Sequence, residues 1–244
     1  MKEKESQSLK QLIENSGIHH IAVEGVIGAG KTTLTQMLGE KLQAEVVLEQ
    51  FEDNPFLSQF YDDPDRYAFQ TQIFFLLSRF KQQQSLRQPG LFHSNLITDY
   101  IFEKDKIFAY LNLEDEELKL YEMLFASLEK SQSIPKPDLV VYLQSSVSRL
   151  MQNIRRRARP MEKNMSEAYI KDLNDAYNYF FFHYRGAPLL IVNATEIDFV
   201  NNSELATLQL IYNTNVNQKQ LLENGTVGLY ELYFRLPVNV SYKA

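Results

Sequence analysis

Gly25-Val26-Ile27-Gly28-Ala29-Gly30-Lys31-Thr32 satisfies the pattern G-x-x-x-x-G-K-[ST] at every position. An apolar run from Ile18 to Val23 precedes it and reads as a strand. Thr33 to Leu42 follows, with Leu34, Leu38 and Leu42 four apart, and reads as a helix. Strand, glycine loop and helix form the context in which this motif cradles phosphates. Glycines let the backbone curl until several N–H groups point at one place. The helix start adds its positive end to that place. Lys31 can then reach the β and γ phosphates of a nucleoside triphosphate, and the Thr32 hydroxyl can hold Mg²⁺. The expected triphosphate-binding set is Gly25, Val26, Ile27, Gly28, Ala29, Gly30, Lys31, Thr32 and Thr33. A chance glycine turn followed by Lys-Thr is the alternative, and the flanking strand and helix patterns speak against it.

Working outward, apolar β-rich runs recur between helical stretches: Ile18–Glu24, Val46–Leu48, Leu96–Thr98, Leu139–Leu143 and Leu189–Val192. Most are continuous rather than alternating, as in strands buried on both faces of a parallel sheet. Helical patterns fill the gaps at Tyr67–Leu86, Glu114–Ser131, Val147–Arg157 and Ser166–Tyr184. The alternation predicts an α/β fold: a doubly wound five-stranded parallel sheet flanked by helices, with ligands beyond the carboxyl ends of the strands. Glu24, Glu49 and Asp99 stand at or just past such ends. Residues 1–215 are expected to form this domain. Residues 216–244, with Gly225-Thr226-Val227-Gly228 before the aromatic strand pattern Leu229–Leu236, read as an extension to which the sequence assigns no role.

The 244 residues suit one large α/β domain with at most an extension, and 44% hydrophobic residues suffice for a full core. No apolar run approaches the roughly 18 residues that span a bilayer, and no apolar signal core follows Met1-Lys2-Glu3-Lys4-Glu5. Zero Cys rules out disulfides and thiolate metal sites. A cytoplasmic protein without a membrane partner is expected. The net charge of −6 argues against a sequence-independent grip on a nucleic-acid backbone.

The acceptor must be read from other residues. An Asn-Lys-x-Asp guanine-reading segment is absent, which weakens a GTPase reading. Glu49, in Leu48-Glu49-Gln50-Phe51-Glu52, is either the carboxylate that accepts the proton of an attacking hydroxyl or part of an exposed acidic loop. On the Tyr67–Leu86 helix, Phe69, Ile73, Leu76 and Phe80 form an apolar stripe, and Gln72 and Arg79 share a face beside it. Those two polar groups either read the edge of a nucleobase or snorkel to water. Asn153-Ile154-Arg155-Arg156-Arg157-Ala158-Arg159 is dense in cations. A basic lid over the triphosphate is the favoured reading, against a solvated helix end complementing its own dipole.

Together these residues resemble the deoxyribonucleoside kinase family, including its bacterial deoxyadenosine/deoxyguanosine kinases, from about Ile18 to Phe199. The resemblance implies ATP as phosphate donor, Mg²⁺ as cofactor and a homodimer. Glu49 matches the family's catalytic base, with Gln50 where the family usually has Pro. Tyr61 matches the residue contacting the sugar 3′-hydroxyl, Gln72 and Arg79 the base-reading pair, Asp105 the carboxylate partnering that Arg, and Phe108 the stacking aromatic. Asp99 matches the acidic residue near Mg²⁺ in the [DE]-R-[ST] motif. Arg157 and Arg159 match the lid arginines, with Ala158 in place of the usual Gly, and Asp198-Phe199 resembles the segment beside the adenine of ATP. Two departures stand out. Tyr100 occupies the position of the motif's Arg, which usually sits near the transferred phosphate; Lys104 and Arg155 are the candidates to replace it. The acidic residue after the lid is matched by either Glu162 or Glu167.

The expected activity is therefore ATP-dependent phosphorylation of a deoxyribonucleoside 5′-hydroxyl in nucleotide salvage. Deoxyadenosine is favoured, deoxyguanosine and deoxycytidine come next, and thymidine is poor. A nucleoside monophosphate kinase is one alternative, although the acidic groups from Glu49 to Asp53 would repel a monophosphate. A kinase-like binding subunit, disabled at Tyr100, is the other.

Overall fold

The computed structural model describes residues 13, 17–86, 95–130 and 134–195. Asp198, Phe199 and the 216–244 extension lie outside the described residues.

Five parallel strands form one sheet in the order β2-β3-β1-β4-β5. They are β1 (His20–Gly25), β2 (Glu45–Val47), β3 (Leu96–Thr98), β4 (Leu139–Gln144) and β5 (Leu189–Asn193), and each coincides with one of the apolar runs to within two residues. The centre is buried on both faces: every residue of β1, and Leu139–Leu143 of β4, is inside. That explains why these strands read as continuous apolar runs. Ala22 pairs with Thr98 on one side and with Val140 on the other.

The helices, in chain order among the described residues, are α1 (Lys31–Leu42), α2 (Leu57–Asp62), α3 (Pro64–Ser85), α4 (Lys104–Asn112), α5 (Asp115–Lys130), α6 (Val147–Arg157) and α7 (Glu167–His183). Helix α1 buries Leu34, Leu38 and Leu42. Ser146 caps α6 and Ser166 caps α7, each accepting from a backbone N–H three residues on. Helix α3 starts at Pro64, three residues before the sequence pattern suggested. Proline is tolerated in a first turn, where its missing N–H has no partner to lose. The short helices α2 and α4 carried no periodic signal of their own.

The stripe expected on α3 needs correction. Leu76 is its one buried member; Phe69, Ile73 and Phe80 are half-buried. The face that turns inward is Ala68, Thr71, Gln72, Leu76, Arg79 and Gln83. It is largely polar because it borders a cavity rather than the core. Every pairing is parallel, so the loops after β1, β2, β3 and β4 gather at one edge, and chain order reverses between β1 and β4. That edge is where a doubly wound sheet holds its ligand.

Candidate active site

The loop after β1 curls as its glycines require. Gly28 has φ of +88°, and a Cβ there would lie 2.8 Å from the Leu150 carbonyl oxygen. Helix α6 therefore packs directly on the loop, and Asn153 Nδ2 donates to the Gly28 carbonyl at 2.8 Å. Lys31 Nζ donates to the carbonyls of Gly25 and Val26 at 2.7 and 3.3 Å. Burial and the neighbouring Lys104 lower the Lys31 ammonium to about 8, against the opposing pull of Glu24, Glu49 and Asp99. Glu24 is fully buried under the loop, and its carboxylate accepts from the N–H groups of Gly25 and Ile101 at 3.0 and 2.9 Å. It ties the loop to the end of β3.

Asp99, just past β3, is buried. Its Oδ2 accepts from the Thr32 hydroxyl at 2.9 Å and its Oδ1 from the Glu49 backbone N–H at 2.6 Å. One carboxylate thus fixes both the start of α1 and the segment carrying Glu49. Glu49 is part of no exposed acidic loop. Its Oε1 meets Arg79 Nε and Nη2 at 2.7 and 2.6 Å, and its Oε2 meets Lys104 Nζ at 2.6 Å. Burial pushes the Glu49 carboxyl up, but Arg79 and Lys104 outweigh it and hold it well below the usual carboxylate range.

Arg79 also pairs through Nη1 with Asp105 Oδ1, and Asp105 is fully buried. Gln72 Nε2 donates to Asp105 Oδ2 at 2.8 Å and to the Asp105 carbonyl at 2.9 Å. The Tyr121 hydroxyl donates to Asp105 Oδ2 at 2.9 Å. Gln72 and Arg79 therefore do not snorkel to water; they form a buried network that needs all its members. Phe108 is half-buried one turn along α4, edge-on to Tyr177 with ring centroids 6.0 Å apart. Tyr61, near the end of α2, is half-buried, and burial raises its hydroxyl well above the ordinary tyrosine range.

Lys31, Thr32, Glu49, Tyr61, Gln72, Arg79, Asp99, Lys104 and Phe108 line one cavity of about 500 Å³; Glu24, Asp105 and Tyr121 are fully buried outside its lining. Its lining includes residues Ile27 to Thr33 together with Glu49, Gln72, Phe75, Arg79, Lys104 and Phe108. A volume of that size holds a small-molecule ligand. Arg157 and Arg159 border it too. Arg157 makes a two-pronged pair with Glu162, with Nε at 2.7 Å from Oε2 and Nη2 against Oε1. Arg159 Nη1 lies 3.7 Å from Glu162 Oε1, and its guanidinium sits 4.3 Å from the Phe51 ring centre. Glu162 is buried and lines the cavity, whereas Glu167 is exposed in the first turn of α7 and lies outside the lining, so the structure favours Glu162 of the two.

Lys104 is the residue that the sequence reading undervalued. A single Lys in Glu103-Lys104-Asp105-Lys106 carries no signal, because only the turn after β3 and the start of α4 aim it inward. Arg155, the other candidate to stand in for the missing Arg, is exposed and outside the cavity lining. Tyr121, which completes the Asp105 network from α5, was likewise not foreseen: it lies 16 residues away, and only the packing of α4 on α5 brings it in.

The chain is similar to known proteins over most of its length. The deoxynucleoside kinase family model matches residues 21–214. A deoxyadenosine kinase of Dictyostelium discoideum is 37% identical over 193 residues, covering 78% of this chain and 77% of that one. A deoxyguanosine kinase of Bacillus subtilis (strain 168) is 35% identical over 187 residues, covering 75% and 89%. The solved structure of deoxyadenosine kinase from M. mycoides with bound dATP superposes with a TM-score of 0.68 at 28% identity, over 79% of this chain and 98% of that one. With a phosphate loop, two cations around Glu49, and Gln72 and Arg79 lining the same cavity, the chain belongs to the deoxynucleoside kinase family.

Proposed function

We propose that this deoxynucleoside kinase transfers the γ-phosphoryl group of ATP to the 5′-hydroxyl of a deoxynucleoside held between Gln72, Arg79 and Phe108, with Glu49 as proton acceptor. The observation that carries the reading is the position of Glu49: it lines the same cavity as Lys31 and is gripped on both oxygens by cations. As the 5′-oxygen bonds to the γ-phosphorus, the bond from that phosphorus to the leaving diphosphate oxygen breaks. The hydroxyl proton passes to the Glu49 carboxylate, and ADP leaves. A carboxylate held below its usual range is a weak base, which suits a loose transition state in which proton removal comes late. Residues Gly25 to Thr33 cradle the triphosphate. Lys31, Arg157 and Arg159 offset the charge spread over the phosphoryl oxygens, with the Arg155–Arg159 segment acting as the basic lid.

Thr32 and Asp99 offer oxygen donors 2.9 Å apart beside the phosphate loop. Such a pair fits Mg²⁺, which takes one or two protein oxygens and completes its shell with phosphate oxygens and water. The ion, when bound, neutralises developing charge on the phosphates.

The base edge is read by an acceptor. Both amide hydrogens of Gln72 are taken by Asp105, so Gln72 Oε1 is the group left to meet the base. Acceptors on both sides of Gln72 Nε2 fix the amide in that orientation. An exocyclic amino group, as on adenine or cytosine, satisfies Oε1; a carbonyl there does not. Deoxyadenosine is the favoured substrate, deoxycytidine and deoxyguanosine follow, and thymidine is poor. Tyr61 lies against the sugar and favours the 2′-deoxy form.

Residues 1–215 make up the kinase domain in this reading, which the family match over residues 21–214 supports, with 216–244 as an extension. The exposed apolar side chains Leu77 on α3, Tyr110 on α4 and Leu120, Met123 and Leu124 on α5 support a homodimer through these helices. The acidic, cysteine-free composition suits work on nucleosides in the cytoplasm. No helix among the described residues is long and apolar enough to cross a membrane.

ATP consumption with Mg²⁺ and each of deoxyadenosine, deoxyguanosine, deoxycytidine, thymidine and thymidine monophosphate tests the proposal, with Glu49→Gln as control. The expected result is turnover with deoxyadenosine above the others, reduced about 10² to 10⁴-fold in Glu49→Gln. Turnover confined to the monophosphate, or full activity in Glu49→Gln, contradicts it.

A further inference from the structure

We propose that Lys104 is a catalytic residue of the transfer, its ammonium leaving Glu49 for an oxygen of the transferring phosphoryl group. The proposal rests on the phosphoryl-transfer reading above.

Three observations carry it. Lys104 is only 2% exposed, yet it lines the reaction cavity rather than the core. A buried ammonium is costly unless its hydrogens are used. Of its three hydrogens, one is taken by Glu49 Oε2 at 2.6 Å; no further acceptor meets Nζ among the described residues. Spare donors therefore stand within the cavity, next to the group that receives the 5′-hydroxyl proton.

The surroundings of Tyr100 point the same way. Its side chain is fully buried and outside the cavity lining, with the hydroxyl donating to Gln82 Oε1 at 2.7 Å. Gln82 in turn donates to the Leu48 carbonyl at 2.9 Å, stitching Tyr100 to the segment after β2. Tyr100 thus supplies no charge to the phosphoryl group. Its ring lies 5.9 Å from Lys104 Nζ and forms an aromatic wall beside the ammonium. The cation that the segment after Asp99 lacks at position 100 is provided four residues later by Lys104, at the start of α4.

In the step itself Lys104 neither gains nor loses a proton. The 5′-oxygen–phosphorus bond forms, the phosphorus–oxygen bond to the diphosphate breaks, and the hydroxyl proton goes to Glu49. While Lys104 grips Glu49 the carboxylate is a poor acceptor. Once the ammonium turns to the phosphoryl oxygens, Glu49 keeps only Arg79 and becomes the better base. Arrival of the phosphoryl group and activation of the hydroxyl are thereby coupled.

The test compares kcat and KM for deoxyadenosine, at saturating MgATP, in the wild type, Lys104→Met, Lys104→Arg and Lys104→Ala, the last with and without added ethylamine. Thermal unfolding is recorded for each. The expected result is a kcat reduced about 10² to 10³-fold in Lys104→Met, with KM within a few-fold of wild type. Lys104→Arg should keep a larger share of kcat, and ethylamine should restore part of it to Lys104→Ala. A kcat within threefold of wild type in Lys104→Met overturns the proposal. So does equal loss in the Arg and Ala variants with no response to the amine, because a structural lysine behaves that way. A wild type silent with every nucleoside defeats the phosphoryl-transfer reading itself, whereas an active wild type beside an unaffected Lys104→Met defeats this inference alone.

Discussion

Replacing Asp105 by Asn changes one oxygen to an NH₂ group and tests how the base is read. Asp105 forms an ion pair with Arg79 through Oδ1 and accepts from Gln72 and Tyr121 through Oδ2, with no exposure to water. An asparagine offers one acceptor oxygen and one donor. If the NH₂ group faces Arg79, the guanidinium loses an acceptor and meets a donor. If it faces Gln72, the Gln72 amide must turn, and its own NH₂ group then points at the base. Either way one buried hydrogen bond to a charged group is lost, which costs about 1.5–3 kcal/mol. At 1.4 kcal/mol per factor of ten, kcat/KM for deoxyadenosine falls about 10- to 150-fold. Deoxyguanosine, whose 6-oxo group can accept from a turned Gln72, loses less, so the deoxyadenosine-to-deoxyguanosine ratio drops about tenfold. Competitive assays with the two nucleosides measure that ratio, and thermal unfolding reports any general loss of stability. An unchanged ratio refutes the reasoning, even if both activities fall together, because Asp105 would then brace α4 without orienting the base-reading amide.

Two further outcomes are expected. Lys31 carries its charge below about 8 and loses it above. The free enzyme's kcat/KM for ATP should therefore decline as pH rises through about 8, while kcat, measured with phosphates bound against the ammonium, declines later; a flat kcat/KM profile to pH 9.5 would contradict the assigned burial. The same shift has a stability sign. A lysine lowered in the folded state binds fewer protons there than when unfolded, so its contribution to stability grows between about 8 and the ordinary value of 10.5. Gly28→Ala sets a Cβ 2.8 Å from the Leu150 carbonyl at a φ of +88°. It should destabilise the protein by about 1–3 kcal/mol and weaken ATP binding, read by thermal unfolding with and without ATP.

The phosphate loop was legible from the sequence because its chemistry is local: eight consecutive residues, a strand before and a helix after. The five strands were legible for a related reason. Burial on both faces forces continuous apolar runs, and each run stands out against polar helical stretches. Helix α6 was read to the residue; Ser146 caps its start, and Ala158, with φ of +51°, closes it after Arg157. Helix α3 was found but its inward face was misread, because the pattern rule assumes that the inward face is apolar, and this one borders a polar cavity. Short α2 and α4 escaped because six to nine residues give too few turns for a period to show.

The sequence by itself thus determined the nucleotide-binding fold and the identity of Lys31, Glu49, Gln72, Arg79 and Asp105 as candidates. Only the tertiary structure decided what each one faces. It set Glu49 between Arg79 and Lys104, used both hydrogens of Gln72 on Asp105, and chose Lys104 over Arg155 as the cation in the cavity. The physical reason is range. Backbone conformation and burial periodicity are written within a few neighbouring residues. The charge partners of a side chain come from strands and helices 30 to 55 residues away along the chain, and their distances are fixed only when the sheet and the helices close around one cavity.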